Sequence, residues 1–407
     1  MLDKPTVESL LNHQLKGLPM QCIKVKTLYT GTEVVQDTYL VFDQGVVVET
    51  AQELKGEFLG EYEVVTPAFI DPHSHIGMVR GGEPETEAEA NDRQDSLLIS
   101  ADALDSLQMD DVCLGEAVEA GVLYSCILPG SGNIIGGRSA VIRTYALDTN
   151  LALVARAGLK AAFGYNPMST VSWQGTRPST RMGALAILRR KLDDVLRKEQ
   201  RKQEAEEDKQ KEITFSAEED ALRDVLNGLT RLRVHVHKID DIAALLRLVN
   251  EFGIRVTVEH AMGVDKPDIF RELKQRGIPV IYGPLDSFPY KVELKHESWR
   301  NVRHLVESGV EFGLMSDHPV TPARQILLQC RWLLRHGYST QQAIEVISRK
   351  NAEILGLENM LGTLEPGKWA SFTCWNGDPF HLTSYPVTVF GEGTLLHTEE
   401  KNAYTTC

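Results

Sequence analysis

The sequence predicts an α/β fold: an eight-stranded (β/α)8 TIM-like barrel with a small β-sandwich domain formed from both chain ends. Three observations predict it. Short apolar runs alternate with amphipathic helical stretches through the middle of the chain. A unit of helix, glycine and apolar strand repeats at Gly253, Gly277 and Gly309. Both ends are β-type, with glycine turns and few helical patterns. Repeated βα units imply a parallel sheet, and the length of residues 66–361 suits eight strands. The predicted division is 1–65 and 362–407 for the two parts of the small β domain, with the barrel between them.

Residues 21–65, with "CIKVKTLYTG", and 362–400 each hold too few strands for an independent sheet, so they are expected to pair with one another. Barrel strand candidates follow in order: "VVTPAFID" (64–71), "VLYSCILP" (122–129), "AVIRTYA" (140–146), "LKAAFG" (159–164), "LRVHVH" (232–237), "RVTVEH" (255–260), "PVIYGP" (279–284) and "EFGLMSD" (311–317). Between the later ones lie the helical patterns "DIAALLRLVNEFG", "PDIFRELKQRG" and "SWRNVRHLVESG", each stopped by a glycine. Residues 183–227 read as a lengthened helical region whose charged run, "RRKLDDVLRKEQRKQEAEEDKQKE", forms a solvated face. Ser339 and Gln342 stand at capping-box spacing and start a helix.

Composition narrows the function. A formal net charge of -14 disfavours nucleic acid and anionic membrane surfaces as partners. The first twenty residues show no secretory signal pattern, and no apolar run reaches the length of a membrane span. Six cysteines (22, 113, 126, 330, 374 and 407) lack CxxC spacing and read as reduced thiols. A cytoplasmic protein with a small-molecule substrate is the resulting expectation.

The chemistry sits at strand ends. His73 and His75 in "AFIDPHSH" alternate along a strand and project together. An HxH alone is weak evidence. "RVHVHK" then offers His235 and His237, "VTVEH" offers His260, and "GLMSDH" offers Asp317 and His318. Imidazoles and carboxylates gathered at four strand ends suit a divalent metal at the catalytic face of a barrel. The glycine-rich "PGSGNIIGG" lacks the GK[ST] ending of a phosphate loop and reads as a βα loop.

These motifs together resemble the amidohydrolase superfamily, whose signature is HxH after strand one, a histidine after strands five and six, and an aspartate after strand eight. "LPGSGNIIGGRSAVI", "GYNP" and "TRMG" are most similar to its imidazolonepropionase-related group. The resemblance spans roughly residues 21–400. It implies a divalent metal, zinc in the first instance, held by His73, His75, His235 and Asp317. His260 is then a second-metal ligand or a hydrogen-bond partner. Asp317 is the implied catalytic residue, taking a proton from water and returning it to a leaving amine. Arg138, Tyr165, Arg181, His237 and His318 are candidates to contact substrate, the two arginines through a carboxylate. The implied reaction is hydrolysis of a cyclic amide, an acylated amine or a dipeptide-like C–N bond, and a homodimer is the superfamily's usual assembly.

Two positions depart from the pattern. Tyr165 stands where related sequences carry a metal-bridging glutamate, which favours one tightly held ion over two. Lys160 precedes its strand end and reads as packing rather than as a carbamylated bridge. Lys238 stands where deaminases and the imidazolone-ring hydrolase carry a glutamate, which lowers a ring-amidine deaminase to an alternative. A catalytically silent metal-binding protein is the other alternative.

Overall fold

The computed structural model describes residues 19–168, 177–289 and 291–399. The outer parts of the two predicted end segments, 1–18 and 400–407, and with them Cys407, lie outside the described residues. The five cysteines within them form no disulfide.

Among the described residues fifteen strands divide between two sheets. The first sheet joins both chain ends. Strands β1 (Gln21–Tyr29), β2 (Val34–Asp43), β3 (Val46–Ala51) and β4 (Glu57–Pro67) come from the N-terminal side, and β13 (Phe372–Trp375), β14 (Pro386–Gly391) and β15 (Thr394–Thr398) from the C-terminal side. Their order is β15-β14-β13-β4-β1-β2-β3, with β4 and β13 antiparallel neighbours at the join. Neither end completes this sheet alone. Its core packs Phe42 edge-on to Phe372 at 5.4 Å and stacks Phe372 on Phe390 at 4.8 Å.

The second sheet has eight strands. They are β5 (Phe69–Ser74), β6 (Val122–Ile127), β7 (Ile135–Arg143), β8 (Leu153–Ala162), β9 (Leu232–Val236), β10 (Val256–His260), β11 (Val280–Tyr282) and β12 (Phe312–Leu314), neighbours in sequence order. Strand β7 runs antiparallel to both β6 and β8, which departs from the all-parallel expectation. The reason is chain length. Residues 128–134 and 144–152 are too few for a crossover, which takes a dozen or more residues, so the chain turns back as a meander. From β8 onward the strands are parallel and helices return the chain. The helices Ile239–Phe252 and Val302–Ser308 end on left-handed Gly253 and Gly309 as their sequences predict. The helix at Thr340 opens on the Ser339–Gln342 capping box. The charged stretch begins inside the long helix Arg181–Glu204, buried only along Ala184, Leu188, Leu192 and Val195, and runs on through the short helix Glu207–Gln210.

The eight-stranded sheet curls until β12 meets β5, and this seam is held largely by side chains. Asn351 Nδ2 donates to the carbonyls of Ile70 (2.7 Å) and Leu314 (3.0 Å), one on each strand. Asp71 accepts from the Ser316 backbone N–H at 3.1 Å and from the Ser316 hydroxyl. At the rim, Asp317 N–H donates to His73 O and His75 N–H to His318 O, each at 3.0 Å. Gly313 is required here, because a Cβ would lie 1.8 Å from Asn351 Oδ1.

Replacing Asn351 with leucine strands two buried carbonyls, and the expected cost is about 2–4 kcal/mol in denaturant unfolding. Gly313→Ala is expected to destabilise as well. Combined with Asn351→Ala it should cost less than the sum of the single changes, because the clash is with Asn351 itself. Additive costs would show that the two residues do not share the seam.

Candidate metal centre

The residues that the sequence places at strand ends meet at one rim of the barrel. On β9, Arg233 and His235 alternate inward with His237 beyond them, and the whole strand is buried. On β10, Thr257 and Glu259 share the inward face, joined by a hydrogen bond of 2.5 Å. Simple alternation would turn His260 outward. Instead His260 and Ala261 take φ of 75° and 55°, and the imidazole comes to lie 4.3 Å from the His235 ring and 4.8 Å from the His73 ring, centroid to centroid. Asp317 is likewise left-handed at φ 49°. Non-glycine residues in this region cost about 1–3 kcal/mol each and persist where surrounding contacts enforce them.

Three imidazoles have their tautomers set by acceptors that have no proton to give. His73 Nδ1–H donates to Glu259 Oε2 (2.8 Å), His75 Nδ1–H to Leu128 O (2.8 Å), and His260 Nδ1–H to Gly283 O (3.1 Å). A neutral ring held in this way presents Nε2 as its lone-pair donor. The Nε2 atoms of His73 and His75 face Asp317 Oδ1 at 3.5 and 3.3 Å, so the three side chains converge on one point. The Asn166 amide, assigned by its bonding, accepts from His235 Nε2 (3.2 Å) and donates to Glu293 Oε1 (3.2 Å). That leaves His235 Nδ1 bare. His235 Nδ1, His237 Nδ1 and His260 Nε2 are all buried without a partner.

Burial, reinforced by nearby positive charge, pushes His73, His235, His237 and His260 well below the ordinary imidazole range. They are neutral donors at neutral pH. Burial works to raise Asp317, but contact with His75, His73 and Lys160 outweighs it and holds the carboxyl below its usual range. Two donor groups result, His73 with His75 and Asp317, and His235 with His237 and His260, the donor atoms within each lying within 4.8 Å of one another. Orphaned buried nitrogens, neutral imidazoles and an ionised carboxylate are the donor set a divalent ion requires. The expected set of His73, His75, His235 and Asp317 therefore falls across two adjoining groups, with His237 in the second.

Other expected residues lie elsewhere. Tyr165 offers the cluster its backbone N–H, which donates to Glu293 Oε2 at 3.1 Å, while the residue is 36% exposed. Arg181 binds Asp241 at 2.7 Å. Arg138 lines a separate cavity that shares no residue with the histidine cluster. His318 groups with Asp111 and Cys113 and accepts from the Ala323 N–H. Lys160 corrects its reading as packing. From the inward face of β8 its Nζ donates to Pro129 O (3.1 Å) and lies 3.4 Å from His73 Nε2, and burial lowers its pKa to about 8.

Sequence reasoning missed Asp71, Glu259 and Glu293. Asp71 and Glu259 stand inside the quoted strand motifs, where a buried acid beside a candidate ligand is the available signal. Glu293, 1% exposed, comes from the loop after β11 and has no such signal. Its Oε1 lies 3.4 Å from His235 Nε2. No helix among the described residues is long and apolar enough to cross a membrane.

Comparison with known proteins places the fold and the family. The profile of the amidohydrolase family matches residues 189–399, just over half of the chain. The amidohydrolase tasK of Hapsidospora irregularis is 26% identical over 354 residues, 81% of this chain and 36% of its own length. The chain thus spans about a third of that protein. A solved amidohydrolase from Thermotoga maritima MSB8 aligns with a TM-score of 0.86 at 29% identity, covering 93% of this chain and 100% of its own. A. niger ochratoxinase, at 15% identity and a TM-score of 0.56 over 93% of this chain and 96% of its own, shares the fold. By the family match and the strand-end residues that accompany it, the chain belongs to the amidohydrolase family.

Proposed function

We propose that this chain is a metal-dependent hydrolase of a C–N bond in a small molecule: a cyclic amide, an acylated amine or a dipeptide-like substrate. The observation that carries the reading is the convergence of the Nε2 atoms of His73 and His75 on the Asp317 carboxylate, with both Nδ1 atoms engaged elsewhere. Zinc suits imidazole and carboxylate donors. A divalent ion at such a site supplies a water of lowered pKa, from 15.7 to about 7, and a Lewis acid for the substrate oxygen.

The protein's own groups do the remaining work. Asp317 accepts the proton of the attacking water and delivers it to the leaving amine. Glu259 orients His73 by accepting a 2.8 Å hydrogen bond from its Nδ1–H, and is itself held by Thr257 (2.5 Å) and Arg233 (3.2 Å). Burial of the imidazoles excludes water from their far sides.

One tightly held ion is proposed at His73, His75 and Asp317, the group that includes a negative charge. The Lys160 amine and the second donor group favour a two-ion reading as the alternative. Glu293 beside His235 favours a second chemistry, ring-amidine deamination, because it offers the carboxylate that Lys238 does not. Ammonia release distinguishes it from hydrolysis of a substituted amide. A cytoplasmic location and a homodimer belong to the same proposal.

Elemental analysis of protein purified without chelator or histidine tag is expected to give about one divalent ion per chain. Two equivalents would favour the two-ion reading. No retained metal, even after incubation with zinc or manganese, would remove metal dependence and leave a catalytically silent protein. Asp317→Asn is expected to lower kcat by about 10²–10⁴ on any substrate found. Glu259→Gln is expected to weaken metal affinity about 10–100-fold. Unchanged affinity in that variant would show that Glu259 does not orient His73.

A further inference from the structure

A cavity lined by charged side chains lies away from the histidine cluster. It measures about 800 Å³, within the range of small-molecule sites. Arg231 and Arg255 immediately precede β9 and β10, so they lie at the end of the barrel opposite the histidines. Arg138, Arg156 and Arg233 also line it, against two carboxylates, Asp220 and Asp224.

The pairing of these groups is incomplete. Arg156 is matched by Asp102 at 2.6 Å, and Asp220 already binds Arg223 at 2.8 Å. Among the described residues no carboxylate pairs with Arg138, Arg231 or Arg255. Arg231 donates to Ile354 O (3.0 Å) and Arg255 to Gly228 O (3.2 Å), both neutral carbonyls. Arg233 is 2% exposed, yet its Nε has no partner. Burial, and then the charges of Arg255 and Arg233, push Arg231 below the ordinary guanidinium range. This concentration of cations stands in a chain of net charge -14. Arg233 is matched by Glu259 at 3.2 Å, and Asp224 also lines the space, so the unpaired cations are Arg138, Arg231 and Arg255. Three guanidiniums without a paired carboxylate around a concave, partly buried space match a ligand with several oxyanion charges.

We propose that this cavity binds a small, multiply charged anion of the phosphate or dicarboxylate kind. The experiment is calorimetric titration of the whole protein, at low ionic strength, with inorganic phosphate and with succinate, each against sodium chloride of equal ionic strength. Saturable one-to-one binding by either anion, absent with chloride, is expected. The tighter of the two identifies the ligand as phosphoryl or carboxylate. Arg138→Ala/Arg255→Ala should weaken binding at least tenfold with an unchanged circular dichroism spectrum. Arg138→Lys/Arg255→Lys should recover part of the loss. His75→Asn, whose Nδ1 faces Leu128 O and not the Glu259–Arg233 pair, should leave anion affinity unchanged, so the result stands apart from the proposed metal chemistry. Absence of saturable binding would overturn the proposal. So would binding that survives the double alanine variant, because the anion would then sit elsewhere, the metal centre included.

Discussion

The hydrogen bonds that join β5 to β12 bring the two ends of the barrel sheet together, and the candidate centre depends on them. Strand β12 is only three residues long, too short to fix the seam by ladder bonds alone. Asn351 reaches into the gap and bonds a carbonyl on each side, while Asp71 holds Ser316 from the facing strand. Because Asp71 lies two residues before His73, and Ser316 one before Asp317, these bonds fix the register of the ligand-bearing ends. If the seam opened, His75 Nε2 and Asp317 Oδ1 would lose their 3.3 Å approach, although both residues would remain in place on their own strands. Backbone strain at Asp317 fits this account, since a left-handed aspartate needs neighbours that hold it there.

Beneath the centre the barrel interior is polar, which is costly unless each group is matched. Arg233 Nη2 donates to Pro72 O at 2.6 Å and meets Glu259 at 3.2 Å; Glu259 in turn accepts from His73. Breaking one member leaves a buried charge unpaired, a larger penalty than the net value of the pair. The chain of contacts explains why the inward positions of β9 and β10 are not simply filled with aliphatic residues. It also gives Arg233 two faces, one on the carboxylate behind His73 and one on the arginine-lined cavity.

Much of this was legible in the sequence, for reasons that differ by element. Gly253 and Gly309 mark helix ends because a left-handed residue there favours glycine, a local rule that tertiary structure does not override. His73, His75, His235, His260 and Asp317 were legible because strand ends at one barrel rim gather whatever residues they carry. Strand β7 was anticipated only over 140–143, since its first residues read as part of a glycine-rich loop, and not in its direction, which is set by the shortness of the flanking segments rather than by its own composition. Asn351 and Glu293 were not legible. Each acts across a sequence separation that no local pattern records, Asn351 on Ile70 and Glu293 on His235.

Tyr165 and Lys160 show where position-by-position reading misleads. A tyrosine in place of a bridging glutamate argues for a lost function if the side chain is assumed to point inward. In the structure Gly164 has φ 88° and leaves no room for a side chain, since a Cβ would lie 2.9 Å from Glu293 Oε2. The backbone turn at this glycine leaves Tyr165 exposed and aims its N–H at Glu293 instead. The carboxylate therefore reaches the second donor group from a loop, and Lys160 approaches the first from within the barrel. The chemical groups missing from the expected positions are present in the cluster, delivered by other elements. The tyrosine alone is therefore a poor argument that the centre is silent.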